Sequence, residues 1–282
     1  MSHQHSLEKK ALDTVAEGFR FNALKLPSLP EVTVKVRAVA ADPRAGVEDL
    51  AAEILRDAGM TARLIRIANS PLLRGRMEVR TLSQAITRLG FHYVRDLVTA
   101  LALEHAFEPR QPSASQVLRK IWKRSKNVAA ISQILARHRT DLASEQALLA
   151  GLLHLIGALP LLAAVDEADV GAVDPDELLA MIDSRHAEVG SRILRHWRFP
   201  EFIACVPEKY RDAAREDYEE PDFADVVAVA SMLSVPLSEQ GREAPEWGNF
   251  RPAIKLGLTS AKEFYSSDTM QIDLQQSISL LN

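Results

Sequence analysis

Between Ala147 and Leu162 the chain carries Leu, Ile and Ala on nearly all sides of a helical projection. A helix apolar all round must be enclosed, so this stretch is expected at the centre of the core, with other helices around it. The material for such a shell is present: 47% of the 282 residues are apolar and 26% charged. Aromatic residues make up only 6%, while Leu and Ala abound, which favours helix over sheet. An all-α chain follows, long enough for two domains of ordinary size or one large one.

Helical spacing of apolar residues supplies the rest of the inventory. Leu7, Leu12, Val15 and Phe19 mark an amphipathic helix over 6–21, stopped by Leu26-Pro27-Ser28-Leu29-Pro30. Val32, Val36 and Val39 share a face, as do Leu50 with Ile54, and Leu64 with Ile67 and Ala68; Asn69-Ser70-Pro71 breaks the last. Thr81 and Gln84 form a capping box that opens Leu82–Leu89. After Gly90 an apolar helix is expected from Phe91 to about Phe107. Residues 108–113, polar and proline-bearing, are the linker candidate. Ser113 and Gln116 suggest a second capping box, for a helix running to about Arg139 with Ile121, Val128, Ile131 and Leu135 on one face. Asp174-Pro175-Asp176-Glu177 combines cap, first-turn proline and acids suited to the helix dipole. Ala187–Trp197, Glu201–Ala214, Phe223–Leu237 and Met270–Leu281 complete the helices, and 215–220 is expected as a solvated acidic loop.

A net charge of −4 is too mild to imply wholesale binding to nucleic acid or membrane. The single cysteine, Cys205, excludes an internal disulfide framework and is expected to be a buried, inert thiol. The first residues hold no apolar run of signal or spanning length, so a cytoplasmic location is expected. Neither a glycine-rich phosphate loop nor a GxSxG elbow occurs. Seven arginines (63, 66, 74, 76, 80, 88 and 95) face one acid, Glu78, between Met60 and Arg95, a local charge of +6. Arg63, Arg66, Arg74, Arg76, Arg80, Arg88 and Arg95 therefore form either a surface for an acidic partner or nucleotide phosphate, or arginines scattered over outer helix faces.

Three further motifs stand out: Trp122-Lys123-Arg124-Ser125, Gly151-Leu152-Leu153-His154-Leu155-Ile156-Gly157, and His186-Ala187-Glu188-Val189-Gly190. With Trp197 and Pro200 they resemble the C-terminal half of HDOD proteins. Residues 26–31 (LPSLPE), 64–70 (LIRIANS) and 85–90 (AITRLG) resemble the N-terminal half, so the resemblance spans about 24–235. It implies an N-terminal helical subdomain (24–110) packed on a degenerate HD-like helical bundle (113–240), flanked by an N-terminal helix (1–23) and a C-terminal extension (241–282).

HD and HD-GYP phosphohydrolases, to which HDOD proteins are related, hold metal with an H…HD…D set. The resemblance places the first ligand on Arg124, the HD pair on His154-Leu155, a further histidine on His186 and the distal Asp near Ser231. A histidine pair usual farther on would fall around Val206–Tyr210, where none occurs. Leu155 removes an anionic ligand and Arg124 adds a fixed positive charge, so neither a metal nor another cofactor is expected. His154 is either a remnant ligand or a buried histidine satisfied by a hydrogen bond, and His186 either a remnant ligand or a helix-start residue beside Ser184. Arg124 either belongs to the solvated stripe Arg119, Lys120, Lys123, Lys126 or points inward in place of the ion. A non-catalytic bacterial signalling module is the expectation, its partner an unidentified signalling protein or small ligand, a cyclic dinucleotide among the options. The alternatives are a phosphohydrolase or phosphodiesterase with atypical ligands, and a nucleic-acid-binding regulator using the 60–95 arginines.

Overall fold

The computed structural model describes residues 29–70, 73, 77–167, 173–212, 215, 219–234 and 247–281. The helix expected over 6–21, Arg74, Arg76 and Glu216 to Tyr218 lie outside these residues. Among the described residues there is no strand. Five helices come first: α1 (Glu31–Ala41), α2 (Val47–Ile54), α3 (Ala58–Ala68), α4 (Leu82–Leu89) and α5 (Phe91–Leu103). The bundle follows: α6 (Pro112–Arg139), α7 (Ser144–Leu153), α8 (Ala158–Glu167), α9 (Pro175–His196), α10 (Glu201–Ala204), α11 (Val206–Lys209) and α12 (Phe223–Leu233). Three more close the chain: α13 (Arg251–Lys255), α14 (Ala261–Tyr265) and α15 (Asp268–Leu281).

The long α6 is the spine. It packs along α7, α12 and α15 and also touches α8 and α9. The apolar 147–162 stretch lies at the centre, as its composition demands, with Ala147–Leu162 buried throughout. It is two helices, however. His154–Gly157 form a turn, and α8 restarts at Ala158. Pro160 has no N–H to close a bond onto Ile156, so an unbroken ladder would have been interrupted there. By length and composition 144–167 is apolar enough to cross a membrane, but in this fold it is mostly buried by protein.

Other boundaries moved for equally local reasons. The capping box at Thr81 forms, with Gln84 N–H donating to Thr81 Oγ1 at 3.2 Å. The one expected at Ser113 does not: Pro112 already occupies the first turn of α6, which carries Ser113 into the helix. Ahead of it, the Arg110 and Gln111 amides donate to the Asp166 carboxylate at 2.9 and 3.0 Å, which fastens the linker candidate onto α8. Asp174 caps α9, which runs unbroken through 187–196. The helix expected over 201–214 divides into α10 and α11, with Pro207 in the first turn of the second.

The N-terminal helices are tied to the bundle by charge as well as apolar packing. Arg37 of α1 donates to Asp96 of α5 at 3.1 Å and to the Trp197 carbonyl just past α9, and its guanidinium lies 5.1 Å from the Phe199 ring centre. Arg63 of α3 donates to the Leu281 carbonyl at 2.7 Å, joining α3 to α15. Arg215, expected in a solvated loop, is instead buried, donating to Asp222 and Asp225 at 2.7 Å. Lys255 approaches Asp225 from α13 at 3.0 Å. One arginine among acids satisfies two carboxylates at once, which charge counting along the chain does not reveal.

Candidate functional site

Five elements deliver the residues of the site. Arg124 comes from the middle of α6, His154 and Leu155 from the turn after α7, His186 from within α9, Tyr210 from the end of α11 and Ser231 from α12. His154 and His186 are both fully buried. His154 Nδ1 donates to the Gly151 carbonyl at 2.6 Å, and His186 Nδ1 to the Ile182 carbonyl at 2.8 Å. A carbonyl can only accept, so in each ring Nδ1 carries the proton and Nε2 presents a lone pair. His186 Nε2 accepts from the Tyr210 hydroxyl at 2.9 Å. His154 Nε2 is buried with no hydrogen-bond partner.

Tyr210 sits against both histidines. Its ring meets His154 edge-on, 5.1 Å between centres at 87°, and lies 6.0 Å from His186. Arg124 Nη2 donates to Ser231 Oγ at 3.1 Å, while Arg124 as a whole remains exposed to solvent. Its charge nonetheless bears on His154, His186 and Tyr210. The arginine is thus both a rim residue and an inward-reaching one, and water at the rim removes the need for a carboxylate partner. Arg124, His154, His186 and Ser231 come together; Leu155 joins the hydrophobic core. His186 is no helix-start residue, because α9 begins eleven residues earlier at Pro175 and continues to His196.

These residues do not fit a divalent ion. Among the described residues no group of three or more His, Cys, Asp or Glu converges. The two imidazoles are accompanied by a guanidinium and a tyrosine, the hydroxyl of which is engaged with His186, and none of these supplies an anionic ligand at neutral pH. Burial pushes the Tyr210 phenol up to about 12, further from ionisation. Tyr210 is the residue that sequence reasoning missed. It falls in the 206–210 window, where the resemblance to HD-type proteins implies a histidine pair.

The glycines of the two motifs have a different purpose. A Cβ on Gly157 would lie 2.1 Å from the His186 carbonyl oxygen and 2.6 Å from Gly190 N. One on Gly151 would lie 2.6 Å from Ala129 Cα in α6. The turn after α7 and the helix α9 therefore meet backbone to backbone, which is what sets His154 and His186 around Tyr210.

Burial pushes the His154 imidazole down to about 3, helped by Arg124 and His186 and opposed by the Gly151 bond. Burial likewise lowers His186. In the unfolded chain both take up a proton near the ordinary value of 6.5. Below that pH the unfolded state binds protons that the folded state refuses, so stability falls as pH drops, by about 1.4 kcal/mol per pH unit for His154, with His186 acting in the same direction. Denaturant midpoints measured from pH 7 to 5 should fall accordingly. In His154→Asn the amide nitrogen can keep the Gly151 bond without titrating, and the slope should lose about one proton. An unchanged slope would show that His154 is not held neutral by the fold.

The arginine segment is not one basic face. Arg63 is paired with Glu104 at 3.3 Å, Arg88 donates to the Ala68 carbonyl at 3.1 Å and to the Met77 carbonyl, and Arg95 grips Asp96 with two bonds of 2.7 Å. Arg66 and Arg80 are exposed, Arg80 beside Glu78. Asp96 and Glu104, just beyond the counted window, neutralise much of the charge. Cys205 is half-buried, and burial raises its thiol.

An all-helical HD-like fold defines the class. The HDOD domain family matches residues 26–211, and the chain belongs to that family. A Shewanella amazonensis structure, described as a candidate metal-dependent phosphohydrolase, superposes with a TM-score of 0.83 at 25% identity, covering 98% of this chain and 100% of that one. An HDOD domain protein of unknown function from Geobacter sulfurreducens gives 0.57 at 22% identity over 97% and 99%. A candidate signal transduction protein from Marinobacter aquaeolei gives 0.56 at 19% identity, over 98% of this chain and 66% of that one. An uncharacterized Treponema pallidum protein is 22% identical over 221 residues, 73% of this chain; the chain spans only 42% of that relative's length.

Proposed function

We propose that the chain is a non-catalytic regulatory module that acts by binding a signalling partner or small ligand, in the cytoplasm. The observation that carries this reading is the Arg124–Ser231 bond beside two histidines packed on Tyr210. A guanidinium repels a cation, and a tyrosine donating to His186 Nε2 engages one of two available imidazole lone pairs. Without a metal-activated hydroxide the phosphohydrolase route loses its nucleophile. Membership of the HDOD family and the signal-transduction description of the Marinobacter protein support a regulatory role.

A second reading, metal-dependent phosphohydrolysis, draws on the description of the Shewanella protein and on the bare Nε2 of His154. Metal analysis and turnover separate the two. Full-length protein purified without chelator and supplied with Mn²⁺ or Fe²⁺ should hold far less than one equivalent of metal. It should hydrolyse bis-p-nitrophenyl phosphate no faster than a blank. One or more equivalents per chain, lost together with turnover in His154→Ala, would overturn the proposal. The nucleic-acid reading is weakened by the internal partners of Arg63, Arg88 and Arg95.

A further inference from the structure

Away from the histidines, a cleft of about 730 Å³ opens between the end of α5, the 104–109 segment, the first half of α6 and α15. Its volume is in the range that takes small organic ligands. The floor is apolar, formed by Phe107, Leu118, Trp122 and Ile278. Trp122 is only 8% exposed, yet its indole N–H is buried without any hydrogen-bond partner. The nitrogen itself is shielded from solvent, so the ring lines the cleft while its donor stays unmet. Arg119 and Lys123, one turn apart on α6, line the same cleft and are exposed, with no ion pair among the described residues. Lys126 is different, being held by Glu104 at 2.5 Å. Glu108 adds an exposed carboxylate to the lining.

This combination has a specific chemistry. Two free cations on adjacent turns suit a phosphate. An apolar floor suits a flat ring, and the Glu108 carboxylate suits an exocyclic amine. We infer that the cleft is a binding site for a purine nucleotide, its phosphate on Arg119 and Lys123 and its base on the Trp122 floor. The cleft lies where the N-terminal helices, the bundle and α15 meet, so occupancy bears on how they pack. As an effector site it rests on the regulatory reading above, although binding itself can be measured whether or not the chain turns over a substrate.

The chain has three tryptophans, so full-length protein labelled with ¹⁵N-tryptophan gives three indole N–H signals, that of Trp122 identified by its loss in Trp122→Phe. Adenosine and guanosine 5′-monophosphates, their nucleosides and inorganic phosphate are the probes. One nucleotide should move the Trp122 signal saturably at sub-millimolar concentration, with its nucleoside and inorganic phosphate at least about tenfold weaker. The exposed double substitution Arg119→Glu/Lys123→Glu should also weaken binding at least about tenfold, with its thermal midpoint as the check on folding. No saturable shift with either nucleotide at about 5 mM overturns the assignment. So does equal affinity for inorganic phosphate, or binding indifferent to the double substitution. These failures leave the metal and turnover results untouched, so the two proposals fall separately.

Discussion

Gly157→Ala should cost on the order of 3 kcal/mol or more, a large part of the stability of an ordinary domain. The added methyl would sit 2.1 Å from the His186 carbonyl oxygen and 2.6 Å from Gly190 N, both backbone atoms of a long helix. No side-chain rotation relieves such a contact. The turn must retreat from α9, and with it His154 from the Tyr210–His186 pair. Chemical denaturation at pH 7 measures the loss. Gly248→Ala is the control, because a Cβ there meets nothing within 4 Å, and its effect should stay within about 0.5 kcal/mol. Equal midpoints for the two variants would mean that the close approach of the turn to α9 is not a feature of the native protein.

Asp225→Ala should cost about 3–5 kcal/mol, for an electrostatic reason. Asp225 is 2% exposed and holds Arg215 at 2.7 Å and Lys255 at 3.0 Å, while the oxygen facing Lys255 also accepts the Asp222 N–H at 3.1 Å. Removing the carboxylate leaves two buried cations sharing fewer acceptors and an amide without its cap. Asp222 still pairs with Arg215, so the lysine is the group stranded most completely. Asp225→Asn keeps the shape and one acceptor and should fall between the variant and the native protein. The exposed pair Arg195–Glu201 gives the contrast: Glu201→Ala should change stability by no more than about 1 kcal/mol. If the two alanine variants unfold at the same denaturant concentration, the Asp225 cluster is not buried in solution.

Helix content and much of the helix order were legible because they depend on local physics. Apolar spacing fixes which face is buried, and caps such as Thr81 and Asp174 fix where a helix begins. The errors were local competitions decided by proline. Pro112 pre-empted the Ser113 box, Pro160 marked the restart within the apolar stretch, and Pro207 divided the 201–214 segment. Of the site, the sequence supplied the positions of Arg124, His154, His186 and Ser231 through family register. It did not supply Tyr210, because nothing along the chain says that a residue 24 positions from His186 will donate to its Nε2.

By itself, then, the sequence determined an all-helical chain with a buried apolar centre, because periodicity and residue chemistry are carried one residue at a time. Tertiary structure alone decided which arginines are neutralised, since Asp96 and Glu104 lie outside the window in which the charge was counted. It alone decided that Arg215 is buried between carboxylates and that Gly157 must lack a side chain. Those outcomes depend on distances between segments far apart in sequence, and packing, not composition, fixes such distances.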